Sequence, residues 1–192
     1  MNDNKIEVSI VLPCFNSERT LKTPLESIVK QTFLNFELII IDDGSIDASL
    51  EIMKNIQALS TCSIKIISRE NKGFLYSLDE GIKSSIGRYI ARIDHDDVWN
   101  NNHLECIMKA FNDDKNLVLV GSNAILINEN GEEIGRTQQQ VSEKIIIKNM
   151  LKDSPFIHSS VVFSRKVYDL TPGYLIGTDE GSRHIADYNL WF

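Results

Sequence analysis

The chain is short of cysteine, of long apolar runs and of positive charge, and each shortage closes off a class of protein. Cys14, Cys62 and Cys106 are odd in number and far apart. They suit reduced thiols in a cytosolic protein rather than a disulfide framework or a zinc site. No stretch of eighteen apolar residues occurs, so no spanning helix is expected. The opening Met1 to Lys5 leads straight into an apolar strand and lacks the hydrophobic core of a signal peptide. Asp and Glu number 27 against 20 Lys and Arg, and the net charge of −7 argues against nucleic acid as a partner. No repeat or low-complexity tract is present. What remains is an ordinary globular composition, 42% apolar over 192 residues, enough for one well-buried domain.

Within that frame the chain alternates. Val8 to Leu12 reads as a β-branched strand stopped by Pro13, Cys14, Phe15 and Asn16. A helical stripe follows through Leu21, Leu25, Ile28 and Val29. Thr23-Pro24-Leu25-Glu26 is either a capping box with Pro at the first helical position or a kink in a longer helix. Phe36 to Ile41 is a second strand, apolar at every position but Glu37, ending in Asp42-Asp43-Gly44-Ser45. Asp47 is expected to cap the next helix, which carries Leu50, Met53, Ile56 and Leu59. Ile64 to Ser68 is a third strand, and Asn71-Lys72-Gly73 opens a helix through Leu75, Leu78 and Ile82. Tyr89 to Ile93 is a fourth strand. Leu104, Ile107, Met108 and Phe111 mark one helix face.

The second half is less regular. Leu117 to Gly121 reads as a fifth strand, and Asn130-Gly131 as a hairpin turn between 124–128 and 132–135. An amphipathic helix is expected over 142–151, a strand over His158 to Phe163, and a mobile loop over 171–184. Ile185 to Phe192 resembles the first turns of a helix without a stop signal, which suggests an end in mid-domain.

Four rounds of strand and helix predict a doubly wound, mostly parallel α/β sheet. Ligands of such sheets bind beyond the carboxyl ends of the strands. Here those ends carry Pro13 to Asn16, Asp42 to Ser45, Ser68 to Gly73 and Asp94 to Asp97, which together point to a polar, phosphate-bearing ligand. Several chemistries are excluded by what is missing. No Gly-x-Gly-x-x-Gly follows the first strand, no Gly-Lys-Ser/Thr phosphate loop exists, and no Gly-x-Ser-x-Gly elbow is present. An aspartate-nucleophile phosphatase would carry its acid pair after the first strand, not the fourth.

The acid stretch itself has two readings. Asp94, Asp96 and Asp97 crowd three like charges at a strand end, which is unfavourable unless something offsets them. Asp94 and Asp96 alternate and so can approach one hard divalent ion from the same side. Alternatively the stretch is a solvated turn in which Asp97 or Asn100 caps the following helix. Phe15 is either a stacking surface or plain core. His103 and His184 read as surface residues, and His158 as structural or acceptor-side.

In order and spacing, Val8 to Asn16, Ser27 to Phe33, Glu37 to Ser45, Glu70 to Gly73, Ser77 to Ile82, Tyr89 to Asp97 and Asp187 to Trp191 resemble the family 2 glycosyltransferases. These are inverting enzymes of the GT-A fold with nucleotide-sugar donors, and the resemblance covers 7–192. It implies one GT-A domain over 1–192, with a donor-binding half over 1–98 and an acceptor-side half over 99–192 containing a small antiparallel hairpin region. It implies that Pro13 and Phe15, with Asn16 beside them, line the base pocket. Asp43 binds the base with Asp42 nearby, and Asn71 and Lys72 approach the nucleotide. Asp94 faces ribose or sugar, Asp96 binds Mg²⁺ or Mn²⁺, and Asp187 is the general base. Uridine is the base the resemblance favours. The implied acceptor is a glycan or lipid-linked glycan of a bacterial surface polysaccharide, met in the cytoplasm at the inner face of the membrane through peripheral association.

Two departures from the family pattern stand out. Ala186 replaces the usual acid before the base, and Leu78 stands where many members have Arg. Together with the abrupt end, Ala186 motivates an alternative reading, a nucleotide-sugar-binding domain that does not transfer. The sequence carries no signal for oligomeric state.

Overall fold

The computed structural model describes residues 5–138, 155–171 and 173–174, with Lys144 and Ile146. The helix expected over 142–151, apart from Lys144 and Ile146, most of the loop over 171–184, and the terminal segment with Asp187 lie outside the described residues.

Strands β1 (Val8–Cys14), β2 (Phe36–Asp42), β3 (Ser63–Ser68) and β4 (Tyr89–Arg92) are parallel, and helices α1 (Lys22–Val29), α2 (Ser49–Leu59) and α3 (Phe74–Lys83) connect them. Helix α4 (His103–Asp113) leads to the short β5 (Leu119–Val120). The hairpin β6 (Ile125–Ile127) and β7 (Glu133–Arg136) turns at Asn130-Gly131, with Gly131 at φ +79°. A 3₁₀ turn (His158–Ser160), β8 (Val162–Ser164) and the single helical turn α5 (Arg165–Tyr168) complete the described chain. The large sheet runs β3-β2-β1-β4-β8-β5, and β6-β7 stands apart.

Every residue of β1 and β2 is buried, because helices cover both faces of the sheet. That is why 38–41 is apolar without alternation, while the buried Glu37 accepts from Ser9 Oγ at 2.6 Å and Ile86 N at 2.8 Å. Side-chain alternation still divides the core. Val8, Ile10 and Leu12 pack with Leu25 and Ile28 of α1 and with Leu104, Ile107, Met108 and Phe111 of α4. Val11 and Ile90 face the other way, against Leu78 and Ile82 of α3. Each such side chain contributes about 1.5–3 kcal/mol on burial. Helix α3 rides close on β1 at Gly81, where an added Cβ would strike Val11. Among the described residues no helix is long and apolar enough to cross a membrane.

Several expectations change. Thr23 caps nothing: α1 begins at Lys22, and Pro24 stands in its first turn, where its missing N–H costs nothing. The fifth strand is paired only at Leu119 and Val120. The stretch from His158 to Phe163 is not one strand. Its first half is the 3₁₀ turn, and β8 then inserts antiparallel between β4 and β5. Neither Asp97 nor Asn100 caps α4 with its side chain. Gln31 does so from a distance: its Oε1 accepts from Leu104 N at 3.0 Å while its Nε2 donates to Asn100 O at 2.8 Å.

His103 is not a surface residue. It is half-buried, stacked on Trp99 with ring centroids 4.6 Å apart, and its Nε2 has no hydrogen-bond partner. Burial lowers its pKa to about 4, against about 6.5 in an unfolded chain. Between those values the unfolded chain binds the extra proton, so this residue makes stability fall as pH drops from 6.5 towards 4. The expected slope is at most about 1.4 kcal/mol per pH unit, read by urea denaturation at each pH. His103→Gln removes that share of the slope. An unchanged slope in the variant would contradict the assignment.

Candidate functional site

The sheet reverses its winding between β1 and β4, since β2 and β3 lie to one side of β1 and β4 to the other. Ligands of doubly wound sheets occupy the crevice at such a point. The parallel register brings the loops after β1, β2, β3 and β4 to one edge. These loops carry the residues expected from the sequence to bind ligand, apart from Asp187.

The first two loops are laced together. Asn16 adopts φ +48°, a conformation Asn tolerates better than most residues. Its N–H donates to Ser45 Oγ at 2.9 Å and its Oδ1 accepts from Ile46 N at 2.9 Å. Glu18 N donates to Asp47 Oδ2 at 3.0 Å, and Ala48 N returns a bond to Glu18 Oε2 at 3.0 Å. Asp47 Oδ1 also accepts from Ser49 N, but the cap position of α2 is Ala48, so Asp47 sits one residue outside the cap expected of it. Pro13 is buried at the root of this loop, whereas Phe15 is 46% exposed at its crest and so is not core. Cys14 is buried, and burial together with Asp42, Asp47 and Asp43 pushes its thiol pKa far up, so it is no nucleophile.

Asp42 and Asp43 are both buried and both engaged. Asp42 accepts from Ser45 N at 3.0 Å and from Ser68 Oγ at 2.7 Å. Asp43 accepts from Lys72 N at 2.8 Å and Gly73 N at 2.9 Å, and pairs with Arg69. It thereby satisfies amides at the start of α3, where a negative charge is favourable. Arg69 also bonds Glu80 at 2.7 Å and Ser77 Oγ at 2.9 Å. Its guanidinium carbon and Lys72 Nζ lie 4.9 and 4.7 Å from the Tyr76 ring centroid. Asn71 is exposed beside them. Gly44, at φ +83°, lets the second loop approach this one, since a Cβ there would lie 2.8 Å from Asn71 N.

In the fourth loop the three carboxylates have different surroundings. Asp94 is half-buried and pairs with the buried Arg92, Oδ1 to Nη2 at 3.2 Å. Arg92 also contacts His158 Nδ1 at 2.8 Å, and since Arg only donates, that ring nitrogen is the acceptor. Asp97 titrates above the usual carboxylate range. Desolvation of its carboxyl by the surrounding protein is the main cause; the Ser159 hydroxyl offsets part of it, and the charges of Asp94 and Asp96 add to it. Asp96 is exposed and has no hydrogen bond or ion pair among the described residues. His95 Nδ1 reaches Thr20 Oγ1 at 3.1 Å, joining this loop to the first across the crevice.

The model of the family described as Glycosyl transferase family 2 matches residues 9–170. The chain belongs to glycosyl transferase family 2. Among family relatives, EpsE of Bacillus subtilis (strain 168) is 32% identical over 186 residues, 96% of this chain and 65% of EpsE. The Escherichia coli UDP-Glc:alpha-D-GlcNAc-diphosphoundecaprenol beta-1,3-glucosyltransferase WfgD is 29% identical over 185 residues, 96% of this chain and 68% of WfgD. In fold the chain is similar to S. aureus TarS 1–349, with a TM-score of 0.69 at 18% identity over 96% of this chain and 55% of TarS. It is similarly close to the mannosyltransferase PcManGT of Pyrobaculum calidifontis, solved with GDP-Man and Mn²⁺, with a TM-score of 0.67 at 16% identity over 93% of this chain and 49% of that one. The chain thus spans about half to two thirds of these relatives' lengths.

The family 2 chain therefore gathers Pro13, Phe15, Asn16, Asp42, Asp43, Asn71, Lys72, Asp94 and Asp96 at one sheet edge. Arg69, Arg92 and Ser159 join them without having been singled out in the sequence. Arg92 carried a signal: a cation inside a buried strand needs a partner, and Asp94 stands two residues on, on the same side. Ser159 carried none. Among the described residues no three His, Cys, Asp or Glu side chains come together to hold a metal. Mg²⁺ commonly takes one or two carboxylates and completes its shell with substrate phosphates and water. The unengaged Asp96 beside an Asp94 already balanced by Arg92 fits that requirement.

Proposed function

We propose that this chain is the donor-binding core of an inverting glycosyltransferase that takes a sugar from a nucleoside diphosphate and passes it to an acceptor hydroxyl. The observation that carries the reading is the exposed, unengaged carboxylate of Asp96 at the winding reversal, next to the neutralised Asp94. Residues 1–98 hold the donor and 99–192 the acceptor side. Pro13 and Phe15 flank the base, with Asn16 holding their loop. Asp42 and Asp43 shape the floor, and Asn71 and Lys72 border the nucleotide. Asp94 turns to ribose or sugar, and Asp96 holds Mg²⁺ or Mn²⁺. Bound there, the ion offsets negative charge gathering on the departing diphosphate. Asp187 takes the proton from the acceptor hydroxyl on the opposite face, so that a single displacement inverts the anomeric centre.

The names of WfgD and of the TarS complex with UDP-GlcNAc favour a UDP-sugar, and that of PcManGT keeps GDP-Man open. WfgD's name likewise favours a polyprenyl-diphosphate-linked glycan as acceptor, met by peripheral contact with the inner face of the membrane during surface polysaccharide synthesis. Calorimetric titration with UDP, GDP and dTDP, each with and without Mn²⁺, tests the donor reading. One nucleotide is expected to bind in a metal-dependent way, and no binding of any would overturn it. For turnover, Asp187→Asn is expected to lower transfer by about 10²–10⁴-fold with nucleotide affinity unchanged. Equal transfer rates would remove Asp187 from its role. Absence of transfer in the unaltered protein, with nucleotide still bound, would favour the non-transferring alternative.

A further inference from the structure

The acid loop closes on itself through one backbone bond, Asp97 N to Asp94 O at 3.3 Å, and otherwise depends on other segments. Thr20 holds His95 and Ser27 Oγ holds Trp99 N, and two further anchors come from the 3₁₀ turn His158–Ser160, sixty or more residues away in the chain. Ser159 is 5% exposed and meets the loop twice. Its Oγ accepts from Asp94 N at 3.0 Å, and its carbonyl accepts from Trp99 Nε1 at 2.5 Å. Its hydroxyl also faces the carboxyl of Asp97. The same turn sets His158 against Arg92, which in turn pairs with Asp94. Both ends of the 94–99 loop are thus tied to one residue, and Asp96 stands between the ties without support of its own.

We propose that Ser159 is a positioning residue that holds the acid loop so that Asp96 meets the metal–diphosphate of the donor. The inference rests on the metal role given to Asp96 above. Removing the hydroxyl leaves the Asp94 amide without its acceptor, while the turn keeps its other ties. Trp99 still bonds the carbonyl, Arg92 still meets His158, and Ser160 Oγ still donates to Ile157 O at 2.8 Å. The change is therefore confined to the acid loop. A half-buried amide that loses its acceptor shifts a local equilibrium by roughly tenfold.

The test uses Ser159→Ala and Ser159→Thr in the full chain with two readouts. Amide hydrogen exchange over 94–99 is measured without metal or nucleotide. Ser159→Ala is expected to speed it about tenfold, leaving β1 and β2 amides unchanged, and Ser159→Thr, which keeps the hydroxyl, to stay near the parent. UDP and GDP affinity is then measured with and without Mn²⁺. Ser159→Ala is expected to lose about tenfold in the presence of Mn²⁺ and little in its absence. Unchanged exchange over 94–99 overturns the proposal, as does faster exchange with unchanged Mn²⁺-dependent affinity. If Ser159→Thr fails to fold, Ser159→Ala decides alone. A parent protein that binds no nucleotide overturns the donor reading instead, and exchange then decides whether Ser159 holds the loop.

Discussion

Asp96→Ala is expected to reduce nucleotide affinity in Mn²⁺ to the metal-free level and to lower sugar transfer by about 10³-fold, an effect of roughly 4 kcal/mol on the barrier. The fold should not notice. Asp96 is exposed and makes no hydrogen bond or ion pair among the described residues, so its removal costs no contact. It also relieves repulsion, since its charge helps raise the Asp97 carboxyl. Stability should therefore stay within about 0.5 kcal/mol of the parent, and Asp97 should titrate lower in the variant, which carboxyl-selective NMR reads directly. Few substitutions separate function from folding so cleanly. Mn²⁺-dependent binding that survives in Asp96→Ala would place the ion elsewhere and sink the role given to this carboxylate. A large stability loss would mean that the carboxylate has a structural partner.

The contrast between Asp96 and Asp43 shows where sequence reading works and where it stops. The succession of strands and crossover helices was legible because burial on both faces leaves an unbroken apolar run at Leu38 to Ile41 and a helical period at Leu104 to Phe111. The crowding of Asp94, Asp96 and Asp97 was legible because like charges at a strand end need a reason. The hairpin turn was legible because Asn-Gly tolerates positive φ. The antiparallel entry of β8 was not, since three residues between β4 and β5 carry too little pattern to fix direction. Nor were the partners of buried polar groups. Gln31 reaches across to Asn100 and Leu104, and Ser159 to Asp94 and Trp99, over separations of 60–73 residues. Nothing local marks such a pair, because the chain brings it together only after the sheet has formed. Asp42 and Asp43 lie at the carboxyl edge of the sheet, where the sequence put them, and their bonds there are to the protein itself.

For Asp43 this leads to the opposite expectation from Asp96. Its carboxylate is 4% exposed, and three donors meet it: Lys72 N, Gly73 N and Arg69. Asp43→Ala strands the two amides at the start of α3 and leaves the largely buried Arg69 to Glu80 alone among carboxylates. Breaking a buried pair by removing one partner costs about 3–5 kcal/mol, a large share of the roughly 5–15 kcal/mol that holds a domain of this kind together. Urea denaturation should show that loss. The Asp43→Ala/Arg69→Ala double variant should be less destabilised than the sum of the two single changes, by more than about 1 kcal/mol, because each single change takes from the remaining member of the pair its opposite charge, a loss the double counts only once. Strict additivity would mean that the two side chains act independently, and the ion pair would then not be what holds the 69–73 loop. A carboxylate has about four lone-pair sites, and three donors leave room for one more. Base recognition by Asp43 is therefore compatible with its structural bonds, and it becomes measurable only in a variant that still folds. Arg69→Lys keeps the positive charge and the carboxylate while removing the guanidinium fork, so it is the background in which nucleotide affinity is compared. Affinity close to the parent in Arg69→Lys, with stability reduced, is the expected result. It would assign Arg69 to holding the loop and leave Asp43 as the group that meets the base.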